Sequence, residues 1–253
     1  MLEVKSLTVS VASQQVCNNF NFIARPGEFW AVLGRNGSGK TTLLHTLAGL
    51  RKANAGQVLV DNKPLSAWPR RALAQQLGIL LQDSEDVFPS PLLESALAGR
   101  HAHLNRWQEE SAEDLNITRQ ALKEMELNGR ENLSTHVLSG GERRRLALAT
   151  LFTQSPNIML LDEPINHLDV HHQVRALESV ARRVHDGTHI ALAVLHDLNL
   201  AARFCNRIMM LHDDGNILTG PTEALLTSEQ LSQLYRHPIH AVKTAHGAYY
   251  VMG

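Results

Sequence analysis

The stretch Phe29-Trp30-Ala31-Val32-Leu33-Gly34-Arg35-Asn36-Gly37-Ser38-Gly39-Lys40-Thr41-Thr42 decides the fold. The apolar run from Phe29 to Leu33 predicts a buried strand, and apolar residues at helical spacing predict a helix from Thr41 to Leu50. Between them, Gly34 to Thr41 matches the pattern G-x-x-x-x-G-K-[ST] of a phosphate-binding loop. A strand, this loop and a helix in that order predict an α/β protein that holds a phosphate group.

The chemistry of the loop follows from its residue types. Glycines let the backbone turn several N–H groups inward, and the N-terminus of the next helix adds partial positive charge. Lys40 is expected to contact the β- and γ-phosphates of a nucleotide, and the Thr41 hydroxyl to ligate Mg²⁺. The predicted cradle consists of Gly34, Arg35, Asn36, Gly37, Ser38, Gly39, Lys40, Thr41 and Thr42. The flanking strand and helix argue against a glycine-rich turn with a chance lysine.

Two carboxylates follow another apolar run. Ile158 to Leu161 predicts a strand that ends in Asp162 and Glu163. Ligands of parallel sheets bind at the carboxyl ends of the strands. We therefore expect Asp162 to hold Mg²⁺ and Glu163 to orient and polarise an attacking water. The alternative is two acids that cap the turn before Pro164, and the phosphate loop elsewhere in the chain makes it the weaker interpretation.

Strand and helix patterns alternate along most of the chain, which predicts a mainly parallel sheet flanked by helices. Strands are expected at the N-terminus, from Leu2 to Val11 and from Phe20 to Ala24. The segment from Leu92 to Leu127 has helical periodicity and a charged centre, and it predicts a helical insertion. Only a final strand, Tyr249 to Met252, is expected after two short C-terminal helices.

Composition excludes several classes of protein. The chain has 24 basic and 25 acidic side chains, a balance that predicts no nucleic-acid partner, because phosphate contacts need an excess of Lys and Arg. Cys17 and Cys205 predict reduced thiols in a cytosolic protein. No signal peptide is expected, and no apolar run approaches the roughly 18–20 residues that span a bilayer.

The 14 histidines include two clusters that suggest a metal site, His101 with His103, and His167 with His171 and His172. His167 and His171 share a helix face only if one helix covers both. Because a loop is the more natural structure there, the sequence does not favour a metal site at either cluster.

The motif Leu138-Ser139-Gly140-Gly141-Glu142 resembles the signature motif of ATP-binding cassette (ABC) ATPases. The resemblance implies that Ser139, Gly140, Gly141 and Glu142 cap the γ-phosphate of ATP bound to a second subunit. A simple serine N-cap with Glu142 in a capping box is the alternative interpretation, and both roles can coexist.

Other motifs extend the resemblance from residue 34 to residue 196. It implies that Gln82 contacts Mg²⁺ and meets a membrane partner, that His196 contacts the γ-phosphate, and that Asn166-His167-Leu168-Asp169 crosses a dimer interface. The implied fold is a P-loop NTPase with an ABC ATPase core, an antiparallel β subdomain and a helical subdomain at about residues 88–153. Residues 1–253 would form one domain. The implied catalytic residues are Glu163, His196 and Lys40, and the implied metal ligands are Thr41, Gln82 and Asp162.

One feature departs from the family pattern. ABC ATPases usually have an aromatic residue in the early strand region that stacks on adenine, but Val9 to Gln15 contains none. Val11 is expected at that position. An aliphatic contact is weaker and less selective than an aromatic stack, so discrimination among purine nucleotides is expected to be modest.

The stretch Gly99-Arg100-His101-Ala102-His103-Leu104 resembles that of ATPases serving importers of iron-siderophores, haem and cobalamin, with Ala102 in place of the usual proline. The resemblance implies ATP and Mg²⁺ as cofactors, a homodimer, integral membrane permease subunits and, indirectly, a substrate-binding protein. It implies a peripheral location on the cytoplasmic face of the inner membrane, with a coupling helix received at Glu85 to Leu97. A soluble ABC ATPase of an assembly complex, as in iron–sulfur cluster biogenesis, and an exporter subunit remain alternatives.

Overall fold

The computed structural model describes residues 1–12, 14–82, 89–105, 107–244 and 247–253. The strands, in chain order, are β1 (Leu2–Val11), β2 (Gln14–Ala24), β3 (Phe29–Gly34), β4 (Ala55–Val60), β5 (Lys63–Pro64), β6 (Leu77–Leu80), β7 (Ile158–Leu161), β8 (Ile190–Val194), β9 (Arg207–Leu211), β10 (Ile217–Pro221), β11 (Ile239–Thr244) and β12 (Gly247–Met252). The helices are α1 (Lys40–Leu47), α2 (Arg70–Gln76), α3 (Leu92–Leu97), α4 (Ala112–Glu124), α5 (Gly140–Gln154), α6 (Val170–His185), α7 (Leu198–Phe204), α8 (Thr222–Leu225) and α9 (Ser228–Tyr235).

A six-stranded sheet in the order β10-β9-β3-β8-β7-β6 forms the centre of the molecule. Its strands pair in parallel, except that β10 runs antiparallel to β9. Every residue of β3, β7 and β8 is buried, as expected for parallel strands covered on both faces. Because β3, β7 and β8 are neighbours and run the same way, the segments after them meet at one edge of the sheet.

A second sheet, antiparallel, has the order β2-β1-β4-β5. Its apolar face packs with α1 and with one face of the central sheet, for example through Val4, Leu43 and Leu192. On the opposite face, residues of α3, α4 and α5 join the other core cluster, which includes Leu92, Leu122 and Leu148. This arrangement confirms the predicted α/β class with a mainly parallel sheet, an antiparallel sheet and helices.

Some predicted elements have different bounds. The predicted helical stretch from Leu92 to Leu127 is interrupted: α3 ends at Leu97, a 3₁₀ helix covers Ala98–Ala102, and α4 starts at Ala112. Gly99, in the 3₁₀ helix, packs closely against α5, because a Cβ there would lie 2.4 Å from the Thr150 carbonyl oxygen. The strand β11 was missed, and it pairs with β12 in a C-terminal hairpin.

Two further expectations concern the predicted helical subdomain and coupling surface, and the length of the helices. Phe88, the predicted start of the helical subdomain, and the first part of the predicted coupling surface, Glu85 to Phe88, lie outside the described residues. Within the described residues, no helix is both long enough and apolar enough to cross a membrane.

Candidate functional site

The loop between β3 and α1 has the shape that its glycines predict. Gly37 and Gly39 have φ angles of 81° and 95°, a backbone region that glycine adopts without strain. A Cβ on Gly39 would lie 2.6 Å from the Val16 side chain, and a Cβ on Gly34 would lie 2.7 Å from the Leu211 carbonyl oxygen. Only glycine fits these two positions, so backbone conformation and packing both explain the motif.

Lys40 lies at the base of the loop and is buried. Its Nζ atom donates hydrogen bonds to the carbonyl oxygens of Gly34 (2.7 Å) and Arg35 (2.9 Å). Burial lowers the pKa of Lys40, while the nearby carboxylates of Glu163 and Asp162 act in the opposite direction. A buried ammonium group between loop carbonyls and two acids is well placed to neutralise a phosphate group.

Asp162, at the end of β7, is fully buried. Among the described residues, neither of its carboxylate oxygens has a hydrogen-bond partner. Burial raises the pKa of Asp162. The nearby Thr41 hydroxyl acts in the opposite direction, and the negative charge of Glu163 adds to the rise. The His45 Nε2 atom lies 4.0 Å from Asp162 Oδ2. Unpartnered buried carboxylate oxygens are costly, and a hard divalent cation would satisfy them.

Glu163 has a φ angle of 51°, unusual for a residue with a side chain, and strain of this kind often occurs at functional sites. Its carboxylate accepts a hydrogen bond from Gln82 Nε2 at 3.2 Å and another from Asn166. The His196 Nε2 atom lies 2.8 Å from its second oxygen. The structure thus brings together Gln82, Glu163 and His196, which the sequence places on three separate segments.

A cavity of about 320 Å³ opens beside these residues. It is lined by Val11, Gln14, Val16, Asn36, Gly37, Gly39, Lys40, Thr41, Thr42, Gln82 and Glu163. Val11 is therefore on the wall of the cavity, although its contact with adenine stays a prediction. A larger groove of about 890 Å³ lies between α4 and α6, but its lining contains none of the predicted site residues.

The signature residues lie at the N-terminus of α5. The Ser139 side chain accepts a hydrogen bond from the Glu142 N–H at 3.3 Å, and Glu142 accepts one from the Ser139 N–H at 2.8 Å. The capping box that the alternative interpretation requires is therefore present. Glu142 also pairs with Arg130, and these contacts lower the pKa of Glu142 to about 2. None of the residues 139–142 lines the cavity described above.

Sequence reasoning missed Arg144, a buried residue of α5. Its guanidinium donates hydrogen bonds to the carbonyl oxygens of Leu81 at 2.5 Å, Glu163 at 2.7 Å and Gln82 at 3.1 Å, and also to that of Asp162. Arg144 therefore connects α5, the helix that starts with the signature motif, to two segments of the site: the one with Gln82 and the one with Asp162 and Glu163. The sequence does show three consecutive arginines, Arg143 to Arg145. The local pattern, however, does not indicate which of the three side chains is buried.

A strand-borne phosphate loop, a buried acid, a hydrogen-bonded glutamate and a separate glycine-rich helix start together define an ATP-binding cassette. The ABC transporter family model matches residues 17–166, and the chain belongs to this family. It is an ATP-binding and ATP-hydrolysing cassette.

Relatives match over nearly the whole chain. The hemin import ATP-binding protein HmuV of Escherichia coli O157:H7 is 32% identical, over 96% of this chain and 95% of its own length. The HmuV protein of Pseudomonas aeruginosa is 36% identical, over 94% of this chain and 96% of its own length.

Solved structures agree with the fold. A metal-chelate type ABC transporter in an inward-facing conformation is 25% identical, with a TM-score of 0.85 over 100% of this chain and 97% of the other. A dimeric bacterial ABC transporter cassette is 26% identical, with a TM-score of 0.75 over 88% of this chain and 99% of the other.

Proposed function

We propose that the chain is the ATPase subunit of an importer for an iron-siderophore, haem or cobalamin-type substrate, with Glu163 as the base that activates water. The position of the Glu163 carboxylate is the observation that supports its proposed role as the catalytic base. It lies on the wall of a cavity that also contains Lys40 and Thr41, and hydrogen bonds from Gln82 and Asn166 hold it in place.

Each residue has a role that its surroundings support. The loop N–H groups and Lys40 bind and neutralise the β- and γ-phosphates. Glu163 accepts a proton from the attacking water, and His196, at 2.8 Å from Glu163, orients that carboxylate and contacts the γ-phosphate. Gln82 completes the arrangement by donating to Glu163 from the segment after β6.

The residues also fit a magnesium ion. Asp162 has two buried oxygens without hydrogen-bond partners among the described residues, and the Thr41 hydroxyl and the Gln82 amide are oxygen donors of the kind that Mg²⁺ prefers. Thr41, Gln82 and Asp162 would hold the ion, directly or through water. A bound Mg²⁺ would neutralise the negative charge that develops on the phosphates during hydrolysis.

The cavity needs a second copy to close. Ser139, Gly140, Gly141 and Glu142 form a helix start that does not line the cavity of their own chain, yet the N–H groups at a helix start are suited to bind an anion. Two copies facing each other would place each Ser139 opposite the nucleotide of the other. A related cassette is dimeric, which supports this arrangement.

The transport role rests on relatives. Several proteins at 32–36% identity are hemin import ATP-binding proteins, and a structurally similar protein is a metal-chelate type transporter. We infer a peripheral subunit on the cytoplasmic face of the inner membrane that docks onto integral membrane permease subunits, with a substrate-binding protein as an indirect partner. The docking surface would include α3 and the residues before it.

The catalytic proposal is tested with Glu163→Gln, which keeps the shape of the side chain but removes the negative charge. General bases contribute about 10²–10⁴-fold, so ATP hydrolysis should fall at least about a hundredfold. ATP binding should persist, because Lys40, Thr41 and Asp162 are unchanged. Glu178→Gln, on an exposed part of α6, is the matched control. Hydrolysis within tenfold of the wild type would exclude Glu163 as the base and make His196 the next candidate.

The transport proposal is tested by affinity purification of the tagged chain from gently solubilised membranes of its own cells. Recovery of a multi-span membrane protein supports a transporter. A soluble scaffold partner instead would favour the assembly-complex alternative. Uptake assays with haem, siderophore and cobalamin in a deletion strain would then separate import from export.

A further inference from the structure

A histidine-rich contact lies outside the lining of the nucleotide cavity, where the segment after α4 meets the first turn of α6. The His171 Nε2 atom lies 3.1 Å and 3.3 Å from the two carboxylate oxygens of Glu126. The His172 Nε2 atom lies 3.4 Å from Glu126 Oε2. One ligand atom from each of the three side chains can be chosen so that all lie within 4.8 Å of one another.

These separations are close to those of a zinc site. Zinc binds imidazole nitrogen and carboxylate oxygen at about 2.0–2.2 Å with tetrahedral geometry, so neighbouring ligand atoms lie about 3.4 Å apart. From the Glu126 Oε2 atom, the Nε2 atoms of His171 and His172 lie at 3.3 Å and 3.4 Å, close to that value. One ligand atom from each side chain lies within 4.8 Å of the others, so side-chain rotations could bring all three around one ion.

A neighbouring carboxylate orients one of the imidazoles. Asp169, the N-cap residue of α6, has its Oδ1 atom 2.9 Å from His172 Nδ1. A carboxylate there favours the tautomer with the proton on Nδ1, which would leave the Nε2 lone pair available to an ion. Histidine ligands of metal ions almost always have such a partner on the second ring nitrogen.

The exposure of the cluster suits an exchangeable ion. The side chains of His171, Glu126 and His172 are 63%, 38% and 23% exposed, so water can complete the coordination. Two imidazoles and one carboxylate favour zinc and its transition-metal neighbours over Mg²⁺ or Ca²⁺, which prefer oxygen ligands alone.

Positive charge nearby opposes a cation. Arg175 Nε lies 3.4 Å from Glu126 Oε1, and Arg145 donates a hydrogen bond to the Glu126 carbonyl oxygen at 2.9 Å. The N-terminus of α6 adds partial positive charge. A plain ion-pair cluster is therefore the competing interpretation, and it predicts no selective binding of metal.

We propose that Glu126, His171 and His172 form a binding site for a divalent transition-metal ion of the zinc type. The ion would fasten the segment after α4 to the start of α6, directly after the Asn166–Asp169 loop. The proposal is independent of the transport role, because it rests on residues outside the nucleotide site. Sequence spacing alone does not reveal it, since Glu126 lies 45 residues before His171.

The test is calorimetric titration of the full chain with ZnCl₂ in excess Mg²⁺, which occupies the acidic nucleotide site. Wild type and His185→Ala, a control at the exposed end of the same helix, should each bind about one tight ion per chain. His171→Ala and Glu126→Gln should weaken that binding at least about tenfold, because each removes a ligand. Equal zinc affinity in all four proteins, or no stoichiometric binding to the wild type, would overturn the proposal.

A second readout separates coordination from nonspecific binding to surface histidines. Because a ligand that binds only the folded state raises the melting temperature, stoichiometric zinc should raise it in the wild type and in His185→Ala. The same addition should leave the melting temperatures of His171→Ala and Glu126→Gln nearly unchanged. Equal shifts in all four proteins would mean that the ion binds elsewhere.

Discussion

Lys40 is the residue that we propose to neutralise phosphate, because its buried ammonium group lies at the base of the loop. Lys40→Ala removes charge-assisted hydrogen bonds that contribute about 1.5–3 kcal/mol each. Nucleotide affinity should therefore fall roughly tenfold to more than a hundredfold. Titration with a fluorescent ATP analogue measures the change, with Lys52→Ala, at an exposed position, as the control. Unchanged affinity would refute the assignment of the phosphate loop.

Val11 sets the expected selectivity for the base. It lies at the end of β1 and on the wall of the cavity, and its side chain supplies no aromatic face. Discrimination between ATP and GTP should therefore be modest. Val11→Tyr should tighten ATP binding by about 0.5–1.5 kcal/mol, the range for an aromatic stack beyond buried area. Comparison of ATP and GTP hydrolysis tests this. A several-hundredfold preference of the wild type for ATP would mean that another residue recognises adenine.

At the scale of elements, the Asp114 carboxylate stabilises both the start of α4 and the preceding 3₁₀ helix. Asp114 closes a capping box with Ser111 and pairs with Arg100 Nε at 2.7 Å. Arg100 also donates a hydrogen bond to the Thr153 carbonyl oxygen at the end of α5. The importer-like stretch from Gly99 to Leu104 thus has a packing role, whichever substrate the transporter carries.

These contacts predict a pH dependence of stability. Hydrogen bonds from Ser111, followed by Arg100, lower the pKa of Asp114 from 3.8 to about 2. A carboxyl with a lowered folded-state pKa contributes stability that is complete above pH 3.8 and is lost as pH falls towards 2. Asp114→Asn should therefore be less stable than the wild type at pH 6, and the difference should shrink below pH 4. Urea unfolding at several pH values measures it, with Asp214→Asn in a surface turn as the control. A difference that does not change with pH would contradict this account.

At the scale of the whole molecule, hydrolysis should require two copies. The Glu163→Gln chain should bind Mg-ATP and hydrolyse it very slowly, so size-exclusion chromatography should show an ATP-dependent dimer that is more populated than in the wild type. Adding Ser139→Arg should abolish the dimer, because a bulky cation would occupy the space where the γ-phosphate of the other subunit docks. Nucleotide binding by the monomer should persist, and Ser66→Arg on the exposed surface is the control. A dimer that survives Ser139→Arg would refute the composite site.

The sequence by itself determined the parts of this protein whose signals are local. Short stretches of sequence specify the phosphate loop, the helix that follows it, and the strand that ends in Asp162 and Glu163. The physical causes of these features act between residues that are close in sequence: glycine conformational freedom, apolar periodicity and helix capping each involve only a few residues. The nucleotide-binding class follows from these signals without knowledge of the packing.

Only the tertiary structure decided which distant side chains meet. Gln82, Glu163 and His196 share hydrogen bonds because β6, β7 and β8 are parallel neighbours, and strand order is not encoded in any single segment. The same reason applies to Arg144, which donates to carbonyl groups of two loops. It also applies to Glu126, which contacts the histidines of α6 from the segment after α4. Burial and pairing of this kind depend on the packing of the whole chain, so local pattern cannot specify them.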